Sequence, residues 1–281
     1  MVVGADGNPP GCAIVLRFCG TIAIVPYSLP CYRTQKQRPI YKIGKHAVKG
    51  LTGMDIAENI ERVRGLIAEA AVKSGRAPDD ITLVAAAKTH PPDKIKAAIA
   101  AGVDAVGENR VQEMLQKHAL DAYAGGPLHF IGHLQSNKAA KIVGVCDLIE
   151  SVSSRALLEI IGKKAASLEI VQNVLIEVNI GEEPSKSGFL RTELAETLDF
   201  AAEIDGINVL GLMAIPPFVD KNREICYYFD IMYNLFIDMR GRKYDNVSMR
   251  FLSMGMSDSY IEAIRAGANM VRIGSAIFGA R

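Results

Sequence analysis

The sequence predicts an α/β protein folded as a single (β/α)8 TIM barrel with an extra helix at its N-terminal end. Three observations carry this prediction. Eight short runs rich in β-branched residues alternate with helical patterns, and such alternation argues for a parallel sheet covered by helices. The chain of 281 residues accommodates one barrel of roughly 250 residues and little else. The rival open doubly wound sheet usually carries a GxGxxG turn after its first strand, and none follows Leu83.

The elements follow in order. Ile56, Ile60, Val63 and Ile67 lie on one helical face, predicting the extra helix over residues 54–74. The first strand, 81–87, ends at Lys88, and Pro91 with Pro92 opens the next helix because proline fits a first helical turn. Further strands are predicted at 104–106, 128–132, 147–152, 174–179, 209–215, 249–253 and 270–274. The clearest intervening helices are 153–167, 192–204 and 220–242.

The barrel is therefore assigned to residues 54–281. Residues 1–53 form a leader with seven Lys or Arg against the single acid Asp6, leaving 25 basic and 30 acidic groups elsewhere. Five of the twelve prolines fall in it without sustained periodicity, so it is read as a poorly ordered appendage. Its apolar stretch, 12–25, has no preceding positive charge, is interrupted by Arg17 and is too short to span a bilayer. Secretion and membrane insertion are not expected. A net charge of +1 gives no reason to expect nucleic acid. The five cysteines form no CxxC pair and no metal-ligand spacing with the histidines, which fits a reducing cytoplasm.

Chemistry in such barrels sits at the C-terminal strand ends, with phosphate bound near the last two loops. Those ends carry Lys88, Glu108 with Asn109, His133, Ser151, Asn179, Met213, Ser253 with Gly255, and Arg272 with Gly274 and Ser275. Lys88 ends an apolar run, where burial disfavours a charged amine and a neutral amine can attack an aldehyde. Read alone, it favours a lysine whose head reaches solvent, because most lysines are surface groups. Ser253-Met254-Gly255-Met256-Ser257 and Gly274-Ser275 suit a phosphate, because glycine lets the backbone approach with its N–H donors. In isolation each is an ordinary turn. Arg272 lies inside Met270-Val271-Arg272-Ile273 and needs a partner, either a ligand or Glu108. His129 and His133 bracket a strand and read equally as satisfied core histidines.

Several of these residues sit in longer phrases. Val84-Ala85-Ala86-Ala87-Lys88-Thr89, Gly107-Glu108-Asn109-Arg110-Val111-Gln112-Glu113, His129-Phe130-Ile131-Gly132-His133-Leu134-Gln135-Ser136-Asn137-Lys138, Leu252-Ser253-Met254-Gly255-Met256-Ser257 and Val271-Arg272-Ile273-Gly274 together resemble the pyridoxal phosphate homeostasis proteins. The resemblance covers residues 54–281. It implies a barrel like the N-terminal domain of alanine racemase, binding pyridoxal 5′-phosphate. Lys88 would form the Schiff base, Asn109 would lie beside the ring and Arg272 near the pyridine nitrogen. The Ser253 to Gly255 and Gly274-Ser275 loops would surround the phosphate. Arg110 and Leu128 depart from common aromatic residues at the pocket rim. The leader has no counterpart in the resemblance, which raises Met54 as an alternative start.

The resemblance implies a cofactor carrier serving vitamin B6 balance, with apoenzymes as recipients and no turnover of its own. Two further expectations follow from racemisation needing a second base from a further domain, for which the sequence leaves no room after Gly274: no catalysis, and a monomer. The alternative is an amino-acid racemase, or a Schiff-base aldolase using Lys88 without the cofactor.

Overall fold

The computed structural model describes residues 14–18, 21–25, 55–217 and 222–279. Within the leader, strands β1 (Ile14–Phe18) and β2 (Thr21–Val25) pair as an antiparallel hairpin. The hairpin was not anticipated, although β-branched residues on both sides of Gly20 favour it. The rest of the expected poorly ordered leader lies outside the described residues, as do Met54 and the C-terminal pair 280–281.

Hairpin and barrel belong to separate units of the chain. The second unit is the expected closed parallel barrel, in the order β10-β3-β4-β5-β6-β7-β8-β9. Its strands are β3 (Thr82–Ala86), β4 (Ala105–Glu108), β5 (Leu128–Phe130), β6 (Leu148–Val152), β7 (Gln172–Val178), β8 (Ile207–Ala214), β9 (Val247–Ser253) and β10 (Met270–Ile273). Closure is through β10 and β3, with Arg272 opposite Val84 and Ile273 opposite Ala85.

The helices are α1 (Ile56–Lys73), α2 (Pro92–Ala100), α3 (Val111–His118), α4 (Ser136–Ala139), α5 (Arg155–Ser167), α6 (Leu194–Ala202), α7 (Asn222–Arg240), α8 (Tyr260–Ala266) and α9 (Ser275–Phe278). Local chemistry sets several starts: Asp55 caps α1 at 2.6 Å, Ser154 caps α5 at 3.3 Å, and Pro92 opens α2. The extra helix α1 packs on α8 and α9, where the buried Asn59 amide donates to the Ile277 carbonyl at 3.0 Å.

Strand alternation sorts the side chains into two layers. Outward residues such as Leu83, Ala85, Val106 and Ile149 join the helices in the main core. Inward residues Val84, Ala105, Leu148, Leu175, Met213 and Met270 fill the barrel. Two positions further along these strands, the same inward parity carries Ala86, Gly107, Glu150, Glu177 and Arg272 toward the barrel mouth. Among the described residues, no helix is long and apolar enough to cross a membrane, and Cys146 and Cys226 are free thiols.

Candidate functional site

A cleft of about 770 Å³ opens at the C-terminal ends of the strands, lined by Lys88, Asn109, Arg272, Gly274 and Ser275 among others. Five of the seven residues singled out from the sequence therefore converge. Lys88 follows β3 on the inward parity of Val84 and Ala86 and is half-buried. It makes no hydrogen bond or ion pair among the described residues. Its neighbour Thr89 has φ 64°, a conformation that is a true outlier for a β-branched residue.

Asn109 reaches the cleft because Gly132 lets two loops touch: a Cβ on Gly132 would stand 2.2 Å from the Asn109 carbonyl oxygen. Ser151 fixes that loop by donating to the Gly132 carbonyl at 2.6 Å. The Asn109 side-chain oxygen is buried without a partner, and so is one carboxylate oxygen of Glu177, also on the cleft wall. Both residues line the cleft, although the two orphan atoms are themselves closed off from solvent.

Arg272 is only 4% exposed. Its guanidinium donates to Ser253 Oγ at 2.5 Å and to the Ala214 carbonyl at 2.9 Å, with the Glu150 carboxylate 3.8 Å away. Glu150, wholly buried, accepts from Ser253 Oγ at 2.6 Å and meets His129 Nδ1 at 2.7 Å. Burial pushes the Glu150 pKa up, but His129, Arg272 and Ser253 together hold it below the ordinary value. Glu177 has fewer partners, so burial prevails over the charge of Arg272 and raises its pKa.

The expected Arg272–Glu108 pair does not form. Glu108 lies one residue out of phase with the inward-facing Ala105, so its side chain enters the helix layer. There it accepts from Lys117 at 2.8 Å and from Tyr123 at 3.1 Å. Arg272 takes Glu150 instead. His129 is the buried, satisfied histidine that one reading allowed, whereas His133 lines the cleft and meets Ser187 Oγ at 2.8 Å.

Ser253 and Gly255 lie beneath the cleft rather than on its wall. The Ser253 hydroxyl is spent on Glu150 and Arg272, and the Gly255 carbonyl accepts from the Arg272 backbone at 3.0 Å. Gly255 has φ 92°, and a Cβ there would meet the Ala263 Cβ at 2.5 Å. The cleft edge in this loop is Met256, Ser257 and Asp258, with Ser257 Oγ accepting from the Gly274 N–H at 3.2 Å. A Cβ on Gly274 would press on the Ala86 carbonyl at 3.2 Å, so glycine permits that close approach. Asn179 organises the neighbouring loop, donating to the Glu183 carbonyl at 2.9 Å. Among the described residues, no three His, Cys, Asp or Glu side chains converge as a metal site.

The family described as alanine racemase, N-terminal domain, matches residues 56–281. A pyridoxal phosphate homeostasis protein of Aquifex aeolicus is 39% identical over 228 residues, covering 81% of this chain and 99% of that one. Its counterpart in Escherichia coli K12 is 40% identical over 231 residues, covering 81% and 97%. The chain belongs to this family of pyridoxal phosphate homeostasis proteins. Among solved structures, PipY of Synechococcus elongatus with PLP bound superposes with a TM-score of 0.70 at 31% identity, covering 80% of this chain and all of that one. Alanine racemase of Clostridium difficile shares the fold at 17% identity and a TM-score of 0.64, with 57% of its length matched.

Glu150 and Glu177 escaped the sequence reading, although the rule that singled out Arg272 applies to them. Each is a charge inside an apolar strand, in Leu148-Ile149-Glu150 and Leu175-Ile176-Glu177-Val178.

Proposed function

We propose that this chain binds pyridoxal 5′-phosphate at the barrel mouth and serves vitamin B6 homeostasis as a carrier, holding the cofactor by a Schiff base on Lys88. The observation that carries this reading is the unpartnered Lys88 amine, half-buried on a cleft that also presents Arg272, Gly274 and Ser275. Family membership and the PLP-bound PipY relative support the choice of cofactor. When bound, the cofactor supplies an aldehyde for the lysine and an electron sink for amino-acid chemistry.

The chain's own residues take distinct roles on this reading. Ser257, Gly274 and Ser275 border the phosphate position, where small residues and backbone N–H groups suit an anion. Asn109 and Glu177, on the cleft wall, would meet polar groups of the ligand. Arg272 would present a permanently charged donor to the ring nitrogen, and such a donor disfavours protonation of that nitrogen and weakens the electron sink. Ser253 and Gly255 act through Arg272, fixing its guanidinium and its backbone. A weak sink beside an open cleft favours storage and exchange with apoenzymes over turnover.

The test is an absorbance spectrum of wild type and Lys88→Ala after adding pyridoxal 5′-phosphate, followed by borohydride reduction and peptide mapping. A Schiff-base band with the reduced adduct on Lys88, both lost in the variant, is expected. Absence of band and adduct refutes the cofactor assignment. Racemase or transaminase turnover that disappears with Lys88→Ala refutes the carrier role while leaving the cofactor in place.

A further inference from the structure

Beneath Lys88 lies a buried charged cluster that the proposed function does not use. Lys117 on α3, with a side chain 9% exposed, makes ion pairs with Glu108 at 2.8 Å and with Glu113 at 2.7 Å. The same ammonium donates to the Ala87 carbonyl at 3.3 Å, while Glu113 Oε1 accepts from the Thr89 N–H at 2.7 Å. Ala87 and Thr89 are the two neighbours of Lys88. One ion pair on one helical turn thus grips both peptide units that flank the lysine.

We propose that Lys117 and Glu113 are positioning residues that clamp the backbone on either side of Lys88 and so aim its amine into the cleft. The inference rests on the cofactor reading above and adds to it the device that sets the lysine's direction. Three observations make the clamp more than a structural salt bridge. Thr89 stands at φ 64°, a backbone conformation that persists only where its surroundings impose it, and Glu113 holds its N–H. Glu108, itself held by the Tyr123 hydroxyl, anchors Lys117, so the grip is braced against the barrel wall. Lys88 itself has no side-chain partner among the described residues, so its direction depends on its backbone.

Forming the Schiff base joins the Lys88 nitrogen to the aldehyde carbon by a double bond, while the C=O bond breaks and its oxygen leaves as water carrying the two hydrogens of the neutral amine. A misdirected amine slows this step without changing how the rest of the cleft holds a phosphate and a ring. The test therefore measures two things on each variant: the rate of adduct formation with pyridoxal 5′-phosphate, and the affinity for pyridoxine 5′-phosphate, which has an alcohol in place of the aldehyde. Glu113→Ala is the first variant, since its side chain is 21% exposed and its loss leaves the Lys117–Glu108 pair intact. Lys117→Met combined with Glu108→Gln is the second, because it leaves no unpaired buried charge. Adduct formation slowed about tenfold or more at unchanged analogue affinity and melting temperature is expected, with Lys117→Arg restoring part of the rate. Variants that react like wild type overturn the proposal, and so does a parallel loss of analogue affinity. A wild-type chain that forms no adduct overturns the cofactor reading and this inference with it.

Discussion

Replacing Glu177 by Gln should stabilise the cofactor-free protein at pH 8 and leave it unchanged at pH 4. The carboxyl is 8% exposed, one of its oxygens has no partner, and burial raises its pKa above the ordinary 4.5 against the pull of Arg272. Below the unfolded value both states are protonated and the group carries no penalty. As pH rises from the unfolded value to the folded one, the unfolded chain gives up its proton to water while the buried carboxyl resists doing so, so stability falls and the full penalty stands above the folded value. An unsatisfied buried group costs about 1–3 kcal/mol, more when charged, and attraction to Arg272 returns part of it. A net gain of about 1 kcal/mol for the amide corresponds to a melting temperature about 2–4 °C higher in a domain of this size. Thermal unfolding of both proteins at the two pH values is the assay. A Gln variant that melts below wild type at pH 8 would refute the reasoning, because Arg272 would then repay more than burial removes.

Glu150→Ala should cost about 3–5 kcal/mol in urea unfolding at neutral pH, since it strands Arg272 and His129 in the barrel. The Glu150 pKa is depressed, so its contribution is present above the unfolded value and lost as pH falls through the folded one; a pH-independent deficit would contradict the assignment. Gly255→Ala places a Cβ 2.5 Å from Ala263 in a left-handed conformation. Overpacking of that kind costs about 1–3 kcal/mol. The displaced Gly255 carbonyl should also loosen Arg272 and weaken binding of pyridoxine 5′-phosphate, and equal affinity would show that this loop does not support the site.

The barrel was legible because most strands announce themselves by short apolar, β-branched runs between helical patterns, and parity along a strand assigns its layers. Lys88, Asn109 and Arg272 could be placed at the mouth on that basis alone. The partner of Arg272 could not, because choosing between Glu108 and Glu150 needs the phase of each strand relative to the barrel axis. That phase depends on where pairing begins: β4 runs on to Glu108, beyond the expected end at 106, and its inward set is fixed by Ala105. The Lys117 clamp was hidden for a different reason. Glu113 and Lys117 are spaced i,i+4 and read as an ordinary solvated helix pair. Only the packing of α3 against the turn after β3 buries them and brings them to the Lys88 backbone.

Glu150 and Glu177 flank the same guanidinium, yet their surroundings drive them in opposite directions. Glu150 has three polar neighbours and is held ionised, whereas Glu177 is pushed toward its neutral form. Paired carboxyls separated in this way commonly mark a division of labour. Here the ionised partner neutralises Arg272 from within the barrel and ties together β5, β6, β9 and β10, so that the guanidinium can be buried at all. Glu177 stands on the cleft wall with one buried oxygen that has no partner among the described residues. Without the Glu150 carboxylate, Arg272 would be an unpaired buried cation. The guanidinium is thus neutralised from within the barrel, while Glu177 is the acid on the cleft wall that burial pushes toward its neutral form.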